Sequence, residues 1–106
     1  MPEARLAHAT DLASLLALFA ASEVSRTAEP DRARQIWLEL LSRDGIAVFV
    51  SDADSRIVAT CTLIAAPNLL RAGRQHGFLE NVVTHPDFRG RGYGRAVVHA
   101  ALVERI

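Results

Sequence analysis

Apolar residues recur at helical spacing in two stretches of the first half of the chain. After Thr10-Asp11, a favourable helix start, apolar residues follow at positions i, i+3, i+4 and i+7, namely Leu12, Leu15, Leu16 and Phe19. Pro30-Asp31 opens a second stretch of the same kind, formed by Ala33, Ile36, Trp37, Leu40 and Leu41 and closed by Arg43-Asp44-Gly45. The pattern predicts two amphipathic helices, one near residues 11–21 and one from Pro30, joined by a polar connection.

After the second helix the pattern changes to short β-prone runs separated by turn residues. Residues 46–50 and 56–64 are two such runs with a predicted turn at 51–55, and residues 75–84 form a third after a loop. Pro86 ends the third run, because proline cannot donate to a sheet ladder and restricts the residue before it. The runs predict an antiparallel meander, and residues 4–9 predict a short first edge strand.

The last part of the chain is a glycine-rich segment followed by an apolar one. Residues 89–95 contain three glycines, and the segment from there to residue 106 carries Arg95 and His99 as a narrow polar stripe. This predicts a final helix that is buried on most of its sides. The complete order is (β)ααβββα, which is an α+β fold in a single domain of residues 1–106.

Composition narrows the class of protein. The chain is 50% hydrophobic and 23% charged, as is typical of a small globular domain. Its twelve basic residues, all of them Arg, balance twelve acidic ones. With a formal net charge of zero, the molecule has no overall field that would attract nucleic acid or an acidic membrane, and we expect neither as a partner.

Cysteine content and hydropathy indicate the cellular compartment that we expect for such a chain. The lone Cys61 can form no internal disulfide, and the sequence shows no Cys/His metal cluster. The apolar runs are too short to span a bilayer, and the first residues do not have the form of a secretory signal. We therefore expect a metal-free protein in a reducing compartment, the cytoplasm.

Gly90, Gly92 and Gly94 lie between a predicted strand and a predicted helix. A chain exposes consecutive backbone N–H groups there, at the positive end of the helix dipole, and nearby Arg residues add charge. This indicates a phosphate-binding loop. The dinucleotide motif G-x-G-x-x-G would need glycine at Arg95, and a P-loop would need a lysine that this chain does not have, so neither fits.

Residues 89–94, Arg-Gly-Arg-Gly-Tyr-Gly, resemble the acyl-CoA signature Gln/Arg-x-x-Gly-x-Gly/Ala of the GNAT superfamily of N-acetyltransferases. Residues 79–88 are similar to that family's fourth strand running into its pyrophosphate loop, and the preceding elements follow the family's order. The resemblance is strongest from 78 to 104 and topological elsewhere. It implies a GNAT-like mixed sheet and acetyl-CoA as cosubstrate.

The resemblance also implies which residues bind the cosubstrate. In this family the loop amides hold the pyrophosphate, and the preceding strand pairs with the pantetheine arm. The positions implied here are Val82, Val83, Thr84, Arg89, Gly90, Arg91, Gly92, Tyr93, Gly94 and Arg95. A backbone amide near Val82 or Val83 would donate to the thioester oxygen as negative charge develops on it.

Glu80 is the candidate general base. It is the only acid between Asp54 and Asp87, in a strand suited to burial, where a carboxylate is costly unless the site is wet or paired. Many family members carry a Glu at this point that deprotonates the amine directly or through water, and burial would raise its pKa in the helpful direction. The alternative is a solvated residue on the open sheet face.

Other side chains have simpler interpretations. Cys61 and Trp37 are predicted to pack in the core, and His85 borders the loop as an incidental turn residue. The family's acceptor site is usually lined by the region around the first two helices. The resemblance therefore leaves three residues as candidates for acceptor contact, namely Ser25, Arg26 and Thr27.

The family's domain normally continues past the last predicted helix with a fifth strand, another helix and closing strands, which supply the tyrosine that protonates the CoA thiolate. Tyr93 lies in the loop instead, so the general acid is unassigned. The edge of the third meander strand would be left unpaired, which is a known liability for association. We therefore expect a fragment, a truncated product, or a chain that a partner such as a second copy completes.

These features predict an acetyl-CoA-dependent N-acetyltransferase that acts by direct attack of a primary amine, carried by a small molecule or a peptide. The alternative is a module that binds CoA or another pyrophosphate ligand without turnover. RNA binding is poorly supported, because one short Arg-Gly run has neither aromatic platforms nor net positive charge beside it.

Overall fold

The computed structural model describes residues 2–103, which form three α-helices and four strands. The helices are α1 (Leu12–Ser22), α2 (Pro30–Ser42) and α3 (Tyr93–Val103). The strands are β1 (Arg5–Leu6), β2 (Ile46–Ala53), β3 (Arg56–Ala66) and β4 (His76–Thr84), and short 3-10 turns lie at Ala9–Asp11, Arg71–Gly73 and Pro86–Phe88. The predicted α+β class and element order are confirmed.

The four strands form one sheet in the order β1-β2-β3-β4. Each neighbouring pair is antiparallel, which confirms the meander and the first edge strand. The parallel pair that a mixed sheet requires is not among residues 2–103. The reason is the connectivity, since β2, β3 and β4 follow one another directly and each connection reverses the strand direction.

Helices cover both faces of the sheet. On the face that we call the helix-pair face, α1 and α2 pack on the sheet through a buried cluster of Leu15, Leu18, Trp37, Val48, Val50, Ile57 and Val83. On the opposite α3 face, the helix contributes Val97 and Ala101 to a cluster with Phe49, Ala59, Cys61 and Leu63. The central strands are therefore covered on both sides.

The final helix is less buried than the sequence predicts. Val97 and Ala101 are fully buried, whereas Leu102 and Val103 are 64% and 66% exposed. α3 has the sheet on one side, so one stripe of it is covered. Residues 104–106 of the predicted helix lie outside the described residues. No helix within 2–103 is long and apolar enough to cross a membrane.

The β2–β3 hairpin is tighter than predicted. Residues 51–53 belong to β2 and pair with β3, so the turn consists of Asp54 and Ser55 alone, with φ of 53° and 61°. Two-residue hairpin turns commonly have positive φ at both positions, because their twist matches that of the strands. Ser51 Oγ also donates to Glu3 O at 2.7 Å, which ties this end of β2 to the start of the chain.

Candidate functional site

The glycine loop meets the N-terminus of α3 in backbone conformations that favour glycine. Gly90 and Gly92 have φ of 76° and 93°. A Cβ at Gly94 would lie 2.8 Å from Thr84 Oγ1, so glycine lets the start of α3 approach the end of β4. The first intrahelical bond runs from Ala96 N to Gly92 O at 2.9 Å. The amides that precede Ala96 at this terminus have no carbonyl one turn earlier, and they are available to an anion.

A buried aromatic ring anchors this loop. Phe88 is 6% exposed, and the ring of Tyr93 stands edge-on to it with centroids 5.7 Å apart. The guanidinium carbons of Arg56 and Arg91 each lie 5.2 Å from the centre of the Phe88 ring, at a distance typical of cation–π contacts. These contacts fix the loop against the buried Phe88 ring.

The loop and the end of β4 together line a cleft of about 370 Å³. Its walls are formed by Thr84, Arg89, Gly90, Gly92, Gly94 and Arg95. Six of the predicted cosubstrate residues are thus brought together around one space. The side chains of Arg91 and Tyr93 are not among them, because they line a separate depression near the start of the chain, of about 490 Å³.

β4 is interrupted by a β-bulge. Thr62 pairs with Glu80 and Thr60 pairs with Val83, so two residues of β4, Asn81 and Val82, stand opposite a single residue of β3. Asn81 has φ of 52°, in the left-handed region that asparagine adopts more readily than most residues. The bulge releases the backbone of these two residues from the regular ladder.

Beyond the bulge, the backbone N–H and C=O of each residue of β4 point either toward β3 or toward the outer edge, where a ligand could pair with them. His85 N donates to Val58 O at 2.8 Å, so His85 turns its backbone groups toward β3. Because the direction alternates along an antiparallel strand, Val83 does the same, whereas Val82 and Thr84 present N–H and C=O at the outer edge. Of the predicted pantetheine residues, Val82 and Thr84 therefore offer edge groups and Val83 is buried in the core.

One edge acceptor already has a partner. Arg89 Nε donates to Thr84 O at 3.3 Å, which fixes the start of the glycine loop to the end of β4. The N–H and C=O of Val82 and the N–H of Thr84 remain directed at the edge. Val82 belongs to the bulge and Thr84 lines the cleft, so an extended ligand arm could pair with these groups while its phosphates reach the loop.

Glu80 is placed on the helix-pair face, since it pairs with Thr62, which lies on that face. It is exposed, as is every residue from 76 to 82. The expectation that Glu80 lies in a buried strand is wrong, because within residues 2–103 this half of β4 pairs with β3 alone and its side chains are exposed. A role as base would rest on access to substrate and water instead of burial.

Two adjoining depressions lie beside the bulge on the helix-pair side. The outer one, of about 370 Å³, is bounded by Phe19, residues 24–27 and residues 81–83. The inner one, of about 250 Å³, lies between α1 and α2 and shares Phe19, Thr27 and Asn81 with the outer. The candidate acceptor residues Ser25, Arg26 and Thr27 therefore lie next to the β4 edge.

The remaining reactive side chains are structural. Cys61 is fully buried and its Sγ donates to Val97 O at 3.3 Å. Burial raises the pKa of this thiol to about 11, so it is protonated at neutral pH, and the predicted packing roles of Cys61 and Trp37 are confirmed. His85 Nδ1 accepts from Asp87 N at 3.1 Å and so caps the turn before the loop. Within residues 2–103 no three potential ligand side chains are grouped to hold a metal ion.

Sequence reasoning missed the bulge and the inner cavity. A signal for the bulge was available, since Asn81 interrupts a β-prone run and asparagine is both depleted in strands and tolerant of positive φ. The cavity has no local signal, because its walls come from α1, α2, β2, β3 and β4, which meet only in the folded chain.

The profile of the acetyltransferase (GNAT) family matches residues 12–104. A curated relative, the glucosamine 6-phosphate N-acetyltransferase of Trypanosoma brucei brucei, is 37% identical over 62 residues. Those residues are 57% of this chain and 42% of that protein, so the match spans less than half of the relative's length.

Three solved structures with this arrangement are acetyltransferases by name. A protein assigned as an acetyltransferase from Agrobacterium tumefaciens str. C58 has a TM-score of 0.84 at 39% identity, covering 94% of this chain and 70% of its own. An acetyltransferase of Trypanosoma brucei has a TM-score of 0.74 at 28% identity, covering 96% and 72%. The Arabidopsis thaliana glucosamine-6-phosphate N-acetyltransferase, with a TM-score of 0.82, 21% identity and coverage of 96% and 72%, shares the fold alone.

Proposed function

Because the chain belongs to the acetyltransferase (GNAT) family, whose members use acetyl-CoA as cosubstrate, we propose that it transfers an acetyl group from acetyl-CoA to a primary amine. The acceptor is a small molecule or a peptide. The observation that carries the proposal is the cleft at the start of α3, which Thr84 lines at the end of the same strand edge that Val82 reaches at the bulge.

The cosubstrate fits this arrangement in two parts. The pyrophosphate would lie on the loop amides around Gly90, Gly92 and Gly94, where Arg89 and Arg95 add positive charge. A Cβ at Gly90 would meet nothing within 4 Å, so the backbone there is open to a ligand. The pantetheine arm would pair with the outer edge of β4, and its thioester would lie at the bulge near Val82.

The transfer itself would be direct. The amine nitrogen attacks the thioester carbonyl, a C–N bond forms, the C–S bond breaks and CoA leaves as the thiolate. The Val82 amide would donate to the carbonyl oxygen as it becomes negative. Glu80, on the helix-pair face one residue before the bulge, would take the proton from the amine directly or through water. The group that would protonate the thiolate is not assigned among residues 2–103.

The second candidate function is a module that binds CoA without turnover. It is favoured by the exposure of Glu80 and by the position of Tyr93, which packs on Phe88 and not beside β4.

If the chain does transfer an acetyl group, the name of the Trypanosoma brucei relative makes glucosamine 6-phosphate one acceptor to test.

Calorimetric titration of acetyl-CoA, followed by a screen of amines for release of free thiol, tests the proposal. For an acetyltransferase, Glu80→Gln should lower turnover about a hundredfold while the Kd of acetyl-CoA stays within twofold, because general-base catalysis contributes about 10²–10⁴. Glu39→Gln is a matched control, since Glu39 is exposed on α2 and lines neither depression beside the bulge. Binding without thiol release would favour the module, and no acetyl-CoA binding would refute both functions.

We also propose that a second copy of the chain pairs with the part of β4 before the bulge. Ala65 N donates to Gly45 O at 2.7 Å, so by alternation Gly77 and Leu79 present their backbone groups at the free edge. A two-fold pairing of residues 76–80 centres on Phe78 and places His76 of each copy opposite Glu80 of the other. This register places the His76 imidazole beside the Glu80 carboxylate and the two Phe78 rings beside each other, and aromatic pairs stabilise antiparallel strands.

A further inference from the structure

The inner depression is an apolar cavity, which extends from the bulge into the space between α1 and α2. Leu12, Leu16 and Phe19 form one wall, and Ile36 and Trp37 form the other. Trp37 Nε1 donates to Ala9 O at 3.0 Å, so the polar edge of the indole already has its partner. None of the described residues that line the cavity is charged. Such an interior suits a hydrocarbon or aromatic group and disfavours a phosphate, which would have to lose its water without a cation to pair with.

The polar groups of the cavity lie at its β4 end. Thr62 from β3 and Asn81 from the bulge are on this side, while the hydroxyl of Thr60 donates to Phe49 O at 2.9 Å. The outer depression continues from Asn81 to Val82. The apolar interior and the edge of β4 are therefore joined by a short path whose polar end lies at the bulge.

We propose that the acceptor is a primary amine with an alkyl or arylalkyl group, whose apolar part fills the cavity while its nitrogen lies at the bulge. This inference rests on the proposed function, which places the thioester at Val82. Among the described residues that line the two depressions, Arg26 alone carries a charge. It lies in the outer depression and is exposed. An acceptor with a large charged group would therefore have to keep that group outside the cavity.

Binding can be followed without catalysis, because Trp37 is the one tryptophan of the sequence and lines the cavity. Butylamine, pentylamine and hexylamine are titrated into the full chain while Trp37 fluorescence is recorded, with and without saturating CoA. We expect Kd to fall about fourfold for each added methylene until the cavity is filled, from about 0.8 kcal/mol for each buried CH₂. Glucosamine 6-phosphate should give no saturable change.

Ala33→Leu tests the location. Ala33 is 7% exposed and lines the cavity from α2, so a leucine there would occupy the space and weaken hexylamine binding at least tenfold. Ala17→Leu adds the same atoms at an exposed position of α1 and should leave hexylamine binding unchanged. If Ala33→Leu does not fold, the chain-length series on the unsubstituted protein still decides the question.

Thiol release with acetyl-CoA separates this inference from the proposed function. Acetylation that favours hexylamine over glucosamine 6-phosphate supports both. Binding of the alkylamines without acetylation refutes acetyl transfer but still supports an apolar amine as the ligand of the cavity. A Kd that does not depend on chain length, or faster acetylation of glucosamine 6-phosphate, overturns the inference while transfer itself stands.

Discussion

Gly92 is the residue at which a side chain and a phosphate would compete most directly. Its φ is 93°, and a Cβ there would lie 3.4 Å from Pro2 Cγ, in ordinary contact, so the fold leaves room for a side chain. Its carbonyl accepts the first hydrogen bond of α3, which places it at the positive end of the helix. A carboxylate at this position would occupy the amides that the pyrophosphate is proposed to use.

Gly92→Glu is therefore expected to raise the Kd of acetyl-CoA at least tenfold, as calorimetry would measure. The positive φ adds a folding cost of about 1–2 kcal/mol for a residue with a side chain. Gly73→Glu is the matched control, since Gly73 has φ of 81° and an open position in a distant loop. It should lose similar stability, seen as a similar lowering of Tm, and keep its affinity. If Gly92→Glu binds acetyl-CoA with an unchanged Kd, the loop is not the pyrophosphate site.

At the scale of elements, an ion-pair network joins three segments at the β1 edge of the sheet. Arg5 of β1 donates to Asp11 at 2.8 Å and to Asp52 of β2 at 2.8 Å. Asp11, just before α1, also accepts from His8 N at 2.7 Å. The hydrogen bonds from Arg5 lower the pKa of the Asp11 carboxyl below its ordinary value of 3.8, although burial opposes this.

The lowered pKa of Asp11 determines how the stability of the fold depends on pH. A carboxyl with a lowered folded pKa stabilises the fold above its unfolded pKa and loses that effect as pH falls through the folded value. Asp11→Asn should therefore lower the free energy of unfolding by about 1 kcal/mol at pH 7, since the pair is partly exposed. The difference from the unsubstituted protein should shrink when urea unfolding is repeated near pH 2.

Asp31→Asn serves as the control for Asp11→Asn. Asp31 pairs with Arg34 within α2 at 3.2 Å, and its side chain is 83% exposed, so its loss should change stability by a few tenths of a kcal/mol at either pH. An Asp11→Asn penalty of the same size at pH 7 and pH 2 would show that the network does not depend on the charge of Asp11.

At the scale of the whole molecule, the proposed dimer depends on the outer edge of β4, which pairs with no other strand among residues 2–103. Seven consecutive residues from 76 to 82 are exposed, among them Phe78 at 54% and Val82 at 50%. An unpaired apolar edge strand is a template for another strand. Pairing through residues 76–80 would leave the groups of Val82 and Thr84 outside the shared ladder and free for a ligand.

Light scattering over a range of protein concentrations should therefore show a dimer, and Gly77→Pro should make the protein monomeric. The Gly77 N–H is directed at the free edge, where proline removes a donor to the second copy but none to β3. Gly77→Ala keeps that donor and should leave the dimer intact. A chain that remains monomeric at high concentration, or a Gly77→Pro variant that still dimerises, would contradict this pairing.

The element order could be predicted because local patterns encode it. The i, i+3, i+4 spacing of Leu12, Leu15 and Leu16 favours a helix with one apolar face, and Pro30 favours a helix start, because its fixed φ suits the first helical position. The glycine loop is equally local, since positive φ at Gly90 and Gly92 and the close approach at Gly94 depend on residue type. The sequence by itself therefore determined the fold class, the family and the conformation of the glycine loop.

The surroundings of each site residue depend on which elements meet, and no local pattern contains that information. Glu80 is exposed because, among residues 2–103, β4 has one neighbouring strand, although its own segment is β-prone and apolar. Arg91 turns away from the cleft because Phe88 is buried beside it. The bulge at Asn81 and the cavity beside Trp37 arise from pairing and packing between distant segments. Only the tertiary structure decided the exposure of Glu80, the orientation of Arg91, the bulge and the cavity, because burial and register are properties of contacts between elements and not of one segment.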